Sequence, residues 1–329
     1  MEPRLLTNKQ PFSYKRFFLQ WEWMLVLLFL AITVMNMNLS EFYWDYENLR
    51  DATMGFLDKA FIVLPMVFVI LMADIDISVA SIVALSSVIM ADLFNRGVPI
   101  IPAMIICLAV GAICGWINGM LIVKYKELSS VIITLATMII YRGIAYIILE
   151  DQAAGSFPDW FSYLGWGYVG PIPFILIVFA IFALLFSFLL HKTVFGRHLY
   201  AIGNNPTAAR FSGIRVDRAK VIVFTLAGVM SAVTALFLTS RMGSTRPNIA
   251  MGYELDVIAM VVLGGISTAG GKGRMIGAIL AVFLIGFLRY GLGLVNVQAQ
   301  IMLIIVGLLL IFAVAVPRLK LGRNGARKT

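Results

Sequence analysis

The chain has 329 residues, 61% of them hydrophobic and 13% charged, with a net charge of +9 and a mean hydropathy of +0.94. Soluble domains carry about 45–50% apolar and about 25% charged residues, so water cannot be the solvent for most of this surface. The excess positive charge sits mainly in the two tails and in loops between apolar runs, a pattern that orients a membrane protein and excludes a nucleic-acid partner.

In chain order, the basic segment 1–20, with Arg4, Lys9, Lys15 and Arg16, leads into the apolar run Met24–Val34. No small-residue cleavage pattern separates that run from Asn36, Asn38 and Glu41, so it reads as a retained first span over 21–38. Apolar runs place further helices at 56–73, 77–94, 100–123 and 129–149. After a polar loop they continue at 171–190, 220–239, 255–266, 274–293 and 298–316. The expected fold class is therefore an all-α membrane protein of about ten transmembrane helices. Its organisation is an N-terminal tail 1–20, a transmembrane domain 21–316 containing a loop 191–220, and a basic tail 317–329.

Ten spans put both tails on one side with Lys124, Lys126, the loop 191–220, Lys272 and Arg274. The other side receives Glu41, Asp45, Glu47, Asp51, Glu150, Asp151 and Asp159, with Arg50, Arg96, Arg241 and Arg246 as basic exceptions. The positive-inside rule then makes the tails cytoplasmic. Trp21, Trp23, Trp44, Trp160 and Trp166 fall near span ends, where amphipathic rings favour the headgroup layer. Cys107 and Cys114 lie within an apolar run and read as packing residues.

Two stretches break the helical pattern. Ala73–Ser81 reads ADIDISVAS, and Leu263–Gly273 reads LGGISTAGGKG, with five glycines in eleven residues. Irregular backbone at membrane depth needs cover from protein or from a water-filled cavity. A pair of interrupted segments in opposite halves is also what inverted-repeat transporters carry, although the glycines equally suit close helix packing. Spans two to five and seven to ten would enter from opposite sides, as an inverted repeat requires. Gly265–Lys272 lacks the phosphate-loop spacing, because residue 266 is isoleucine and Gly273 replaces the hydroxyl, so it is not a nucleotide site.

Charge inside a membrane is costly, which singles out Asp58, Lys59, Asp76, Arg142 and Asp256. Each also has a plainer reading: interfacial snorkelling for Asp58 and Lys59, a brace to backbone carbonyls for Arg142, a helix cap for Asp256, and a conformational cap with Ser78 for Asp76. In the loop 191–220, AIGNNPTAARFSGI can fold as a short helix. Pro206 would sit near its start, Asn204 or Asn205 at its cap and Gly213 near its end, with Ala208 and Ala209 small enough for close approach by a partner.

Four motifs in order resemble one family. They are Asp76-Ile77-Ser78-Val79-Ala80-Ser81, then Ile133-Thr134-Leu135 followed by Tyr141-Arg142-Gly143, then Gly203 to Gly213, then Val262-Leu263-Gly264-Gly265. Together they resemble the permease subunits of bacterial ABC importers for ribose, rhamnose and related sugars, including the autoinducer-2 importer. Ala73-Asp74 and Ala80 depart from the commoner glycines and look more like the rhamnose and autoinducer-2 branches.

The resemblance implies a ten-helix importer subunit with no cofactor and no chemistry of its own, set in the lipid of a bacterial inner membrane. It implies three protein partners: a cytoplasmic ATP-binding subunit, a second permease, identical or not, and an extracytoplasmic solute-binding protein. It also makes Gly203, Asn204, Asn205, Ala208, Ala209 and Gly213 the coupling helix. Asp76, Ser78, Arg142, Asp256, Gly264 and Gly265 are the candidates for the pathway or its helix breaks. The rival reading is a gradient-driven carrier, with Asp76, Asp92 and Asp256 as its only candidate ion-site carboxylates. A membrane enzyme lacks a suitable cluster, since His191 and His198 both fall in the loop.

Overall fold

The computed structural model describes residues 21–150, 152–309 and 311. The expected tails 1–20 and 317–329, Asp151 and the end of the last expected span lie outside them. The helices are α1 (Trp21–Leu39), α2 (Tyr46–Leu57), α3 (Ala60–Leu71), α4 (Val79–Asn95), α5 (Ile100–Lys124), α6 (Ser130–Leu149), α7 (Phe174–Lys192), α8 (Val194–Asn204), α9 (Pro206–Phe211), α10 (Val216–Met242), α11 (Tyr253–Leu263), α12 (Met275–Leu294) and α13 (Ala299–Leu309). Short 3₁₀ and single-turn segments fill several connections. Two small antiparallel pairs join β1 (Ala154–Gly155) to β4 (Ser244–Thr245) and β2 (Tyr168–Val169) to β3 (Ile172–Pro173).

The expected count of about ten transmembrane helices is wrong. Among the described residues, six helices are long and apolar enough to cross a membrane: α1, α5, α6, α7, α10 and α12. A seventh span results if α2 and α3, bent by 48° at Asp58 and Lys59, are taken as one. The physical reason is continuity. Hydropathy finds apolar sequence but not where the helix stops, and at 1.5 Å per residue α4 with 17 residues reaches only about 26 Å and α11 with 11 residues about 17 Å. The inverted repeat over spans two to five and seven to ten loses its basis with that count.

Helices all of whose faces are apolar belong inside. Every residue of α3 is buried, and α10 is buried along most of its length beyond Val223. The outer helices α1, α5, α6 and α7 keep large apolar side chains exposed, among them Leu27, Ile105, Ile139 and Leu184, as a lipid-facing surface requires. Gly111, Gly115 and Gly119 recur every four residues along α5, and a Cβ on any of them would overlap the backbone of α10 at Gly228, Phe224 or Val221. Small residues at this spacing let two membrane helices touch backbone to backbone.

The connections collect at two ends. At one end Lys126 and Arg210 both pair with Asp217, Lys220 pairs with Asp74 at 2.7 Å, and Tyr200 donates to the Gly273 carbonyl at 2.7 Å. At the other, Tyr168 donates to Asp51 at 2.6 Å, Tyr46 to the Pro171 carbonyl at 2.8 Å, and β1 pairs with β4.

Candidate functional site

At the first end the expected coupling segment divides between two helices. Thr193 caps α8 by accepting from the Gly196 amide at 3.3 Å, and Asn205 caps α9 by accepting from the Ala208 amide at 2.9 Å. Pro206 opens α9, and Gly213 follows it with φ +82°, the start and stop that the sequence suggested. Asn204, Asn205 and Ala208 are exposed, while Gly203 and Ala209 are buried against their own chain. Beside them Phe211 is 90% exposed.

Gly203 meets both irregular stretches. A Cβ there would overlap the Leu71 carbonyl and the Gly271 amide, and that amide itself donates to Leu71 at 2.8 Å. The end of α8 is therefore seated on the junction of the 72–78 break with the glycine-rich loop 264–274. Of the two glycines expected there, Gly264 is pressed against the backbone of Gly277 and Ala278. Gly265 has φ +85° and lies against Trp21, whose indole donates to the Leu263 carbonyl at 2.8 Å. Both serve close packing.

Above that junction Asp76 and Ser78 are fully buried. Asp76 Oδ1 accepts from the Ser78 amide at 2.9 Å and from its hydroxyl at 2.6 Å. Asn118 donates to the same hydroxyl at 2.7 Å, and Tyr141 donates to Asn118 at 3.1 Å. Asp76 Oδ2 has no hydrogen-bond partner among the described residues. The network fixes the start of α4 to α5 and α6, which suits the capping reading of Asp76 and Ser78.

Toward the second end the charges at the α2–α3 bend find partners on three other helices. Asp58 accepts from Arg241 at 2.6 Å and from the Tyr253 hydroxyl at 3.2 Å. Lys59 pairs with Asp256 at 2.7 Å and lies 4.8 Å from the centre of the Tyr253 ring. Arg289 holds Asp256 with two bonds, at 2.7 and 2.5 Å. Charges so far from water persist only when paired and hydrogen-bonded, which these are. Arg142 reaches none of them. It donates to the carbonyls of Pro247 at 2.6 Å and Ile249 at 2.8 Å, so the backbone-brace reading describes its contacts.

Arg241, Tyr253 and Arg289 were not singled out from the sequence. Arg289 lies within the apolar run 274–293, so the rule that selected Asp58 and Asp256 selects it too. Arg241 reads as a loop residue because the α10 run was ended at 239, three residues before the helix stops.

A family model described as the branched-chain amino acid transport system / permease component matches residues 53–314. The chain belongs to this permease family. The permease is 39% identical over 298 residues to the ribose import permease protein of Bacillus subtilis, covering 90% of this chain and 91% of that protein. It is 34% identical over 293 residues to the ribose import permease protein of Haemophilus influenzae, covering 88% and 90%. With an autoinducer 2 import system permease protein of Klebsiella pneumoniae it shares 33% over 317 residues, covering 94% and 95%. A rhamnose-like branch finds no support among these relatives. No solved structure matches the chain.

Proposed function

We propose that this permease is the membrane-spanning subunit of an ATP-driven importer that carries a sugar or sugar-like solute, such as a pentose or autoinducer 2, into a bacterial cytoplasm. The observation that carries the reading is near full-length likeness to ribose and autoinducer 2 import permeases at 33–39% identity. In this reading the tails, α8 and α9 face the cytoplasm, in keeping with the basic character of the 191–220 loop. The ATP-binding subunit docks on the exposed face of α9, where Phe211 offers an apolar anchor beside Asn204, Asn205 and Ala208. Gly203 and Ala209 turn inward and pass the motion of that subunit to the junction of Leu71 with Gly271. A second permease copy or homologue and an extracytoplasmic binding protein complete the assembly.

For the gradient-driven carrier the one supporting observation is Asp76 Oδ2, buried without a partner among the described residues, and no second carboxylate bonds to it. Asp256 is clasped by two cations, and Asp92 bonds to Arg96, whose side chain is 71% exposed.

The test is a pull-down of the tagged chain from detergent-solubilised native membrane, with mass spectrometry of what remains bound. An ATP-binding subunit is expected with the wild type and should be lost from Phe211→Asp at equal membrane levels. Recovery of the wild-type chain alone in several mild detergents would defeat the reading.

A further inference from the structure

At the end opposite α8 and α9, the connection between α10 and α11 lines a half-open cavity of about 450 Å³. Its polar lining comes from Arg241, Ser244, Thr245, Arg246, Asn248 and Tyr253, and its apolar lining includes Leu238, Met242 and Ile249. That size and mixture match small-molecule sites, which are typically about 300–1,000 Å³ with a few fixed polar groups among apolar ones.

A short connection at the end of a membrane helix does not ordinarily need expensive bracing, yet this one is held from three directions. Asp58, fully buried at the α2–α3 bend, fixes both Arg241 and Tyr253. From α4, Ser87 shares a buried 2.7 Å hydrogen bond with Thr245, whose backbone also pairs with Ala154. From α6, Arg142 holds the Pro247 and Ile249 carbonyls. Ala250, with φ +58°, adopts a left-handed conformation unfavourable to a side-chain-bearing residue, and such local strain persists where the surroundings over-determine it. Asn248 and Arg246 are left exposed.

We infer that this cavity is a solute-holding subsite on the transport path, built for a polyhydroxylated ligand. The inference rests on the importer reading above and adds the place where the solute is held. Asp58 pairs with Arg241, which presents oriented N–H donors, and Arg246 adds further donors at the exposed edge. Asn248 and Ser244 supply both donors and acceptors for vicinal hydroxyls, and the apolar lining with the Tyr253 ring covers the C–H face of a sugar.

The test uses the whole importer, isolated with its ATP-binding subunit and binding protein and reconstituted in vesicles. The probes are D-ribose, D-xylose, D-galactose and autoinducer 2. Asn248→Ala and Ser244→Ala should lower uptake of the preferred probe at saturation by at least tenfold and change its ratio to the next best by at least threefold. Membrane levels and the bound ATP-binding subunit should match the wild type, and Asn248→Gln should recover part of the rate. Wild-type uptake with unaffected variants overturns the subsite alone. Loss of rate with an unchanged ratio marks the residues as structural and overturns it too. Uptake of none of the probes by the wild type defeats the sugar-import reading and the subsite with it.

Discussion

Asp256 and Asp92 are both acidic residues beside a basic one, and their surroundings give them opposite weight. Removing Asp256 leaves Lys59 and Arg289, whose side chains are 9% and 23% exposed, without a counter-charge. Breaking a buried pair in this way costs about 3–5 kcal/mol. Asp256→Ala should therefore lower the unfolding temperature of the detergent-solubilised protein markedly. Asp92→Ala removes a partner only from the largely exposed Arg96, for about 0–1 kcal/mol, and should leave that temperature almost unmoved. Equal melting curves for the two variants would refute the assignment of Asp256 to a buried network. The sequence made Asp58, Lys59 and Asp256 of this network legible, because a charge in an apolar run is conspicuous. It could not reveal the pairing, since Asp58 and Arg241 are brought together only by the packing of the bend against α10.

Among the elements, the crossing of α5 and α10 depends on glycine at several successive turns. Gly115→Leu would drive a side chain into the α10 backbone at Phe224 and Gly228, whereas Gly143→Leu on α6 meets open space. Overpacking costs about 1–3 kcal/mol even where neighbours can shift, and a backbone carbonyl cannot shift as a side chain does. The yield of folded protein by size-exclusion chromatography should fall for the first and hold for the second; a monodisperse, wild-type-like Gly115→Leu would show that the helices can separate. Helix positions were readable from apolar runs, and the 77–94, 100–123 and 274–293 runs each correspond to an observed helix, α4, α5 and α12. Whether a run spans the membrane was only partly readable: the interruptions at 73–81 and 263–273 show in the sequence and bound α4 and α11, whereas the bend at 58–59 that separates α2 from α3 does not. The glycine spacing along α5 was present in the sequence but is informative only once its partner, Gly228 of α10, is known.

For the whole molecule, the division of its connections between two ends predicts sidedness. Cysteines introduced at Phe211 and at Asn48 should react with a membrane-impermeant thiol reagent from opposite faces of oriented vesicles. Cys107 and Cys114 are buried and contribute little background. Labelling of both sites from one face would contradict the arrangement of the ends. The multi-pass class was legible from composition alone, whereas the number of passes depended on helix breaks. The backbone contact of α5 with α10 also decides what can move. Two helices whose backbones touch through glycines have no side-chain rotamers between them to rearrange, so the pair is expected to move as one body. The bends and breaks that interrupt α2–α3, α3–α4 and α11–α12 are then the places where the rest of the bundle is expected to yield around that pair.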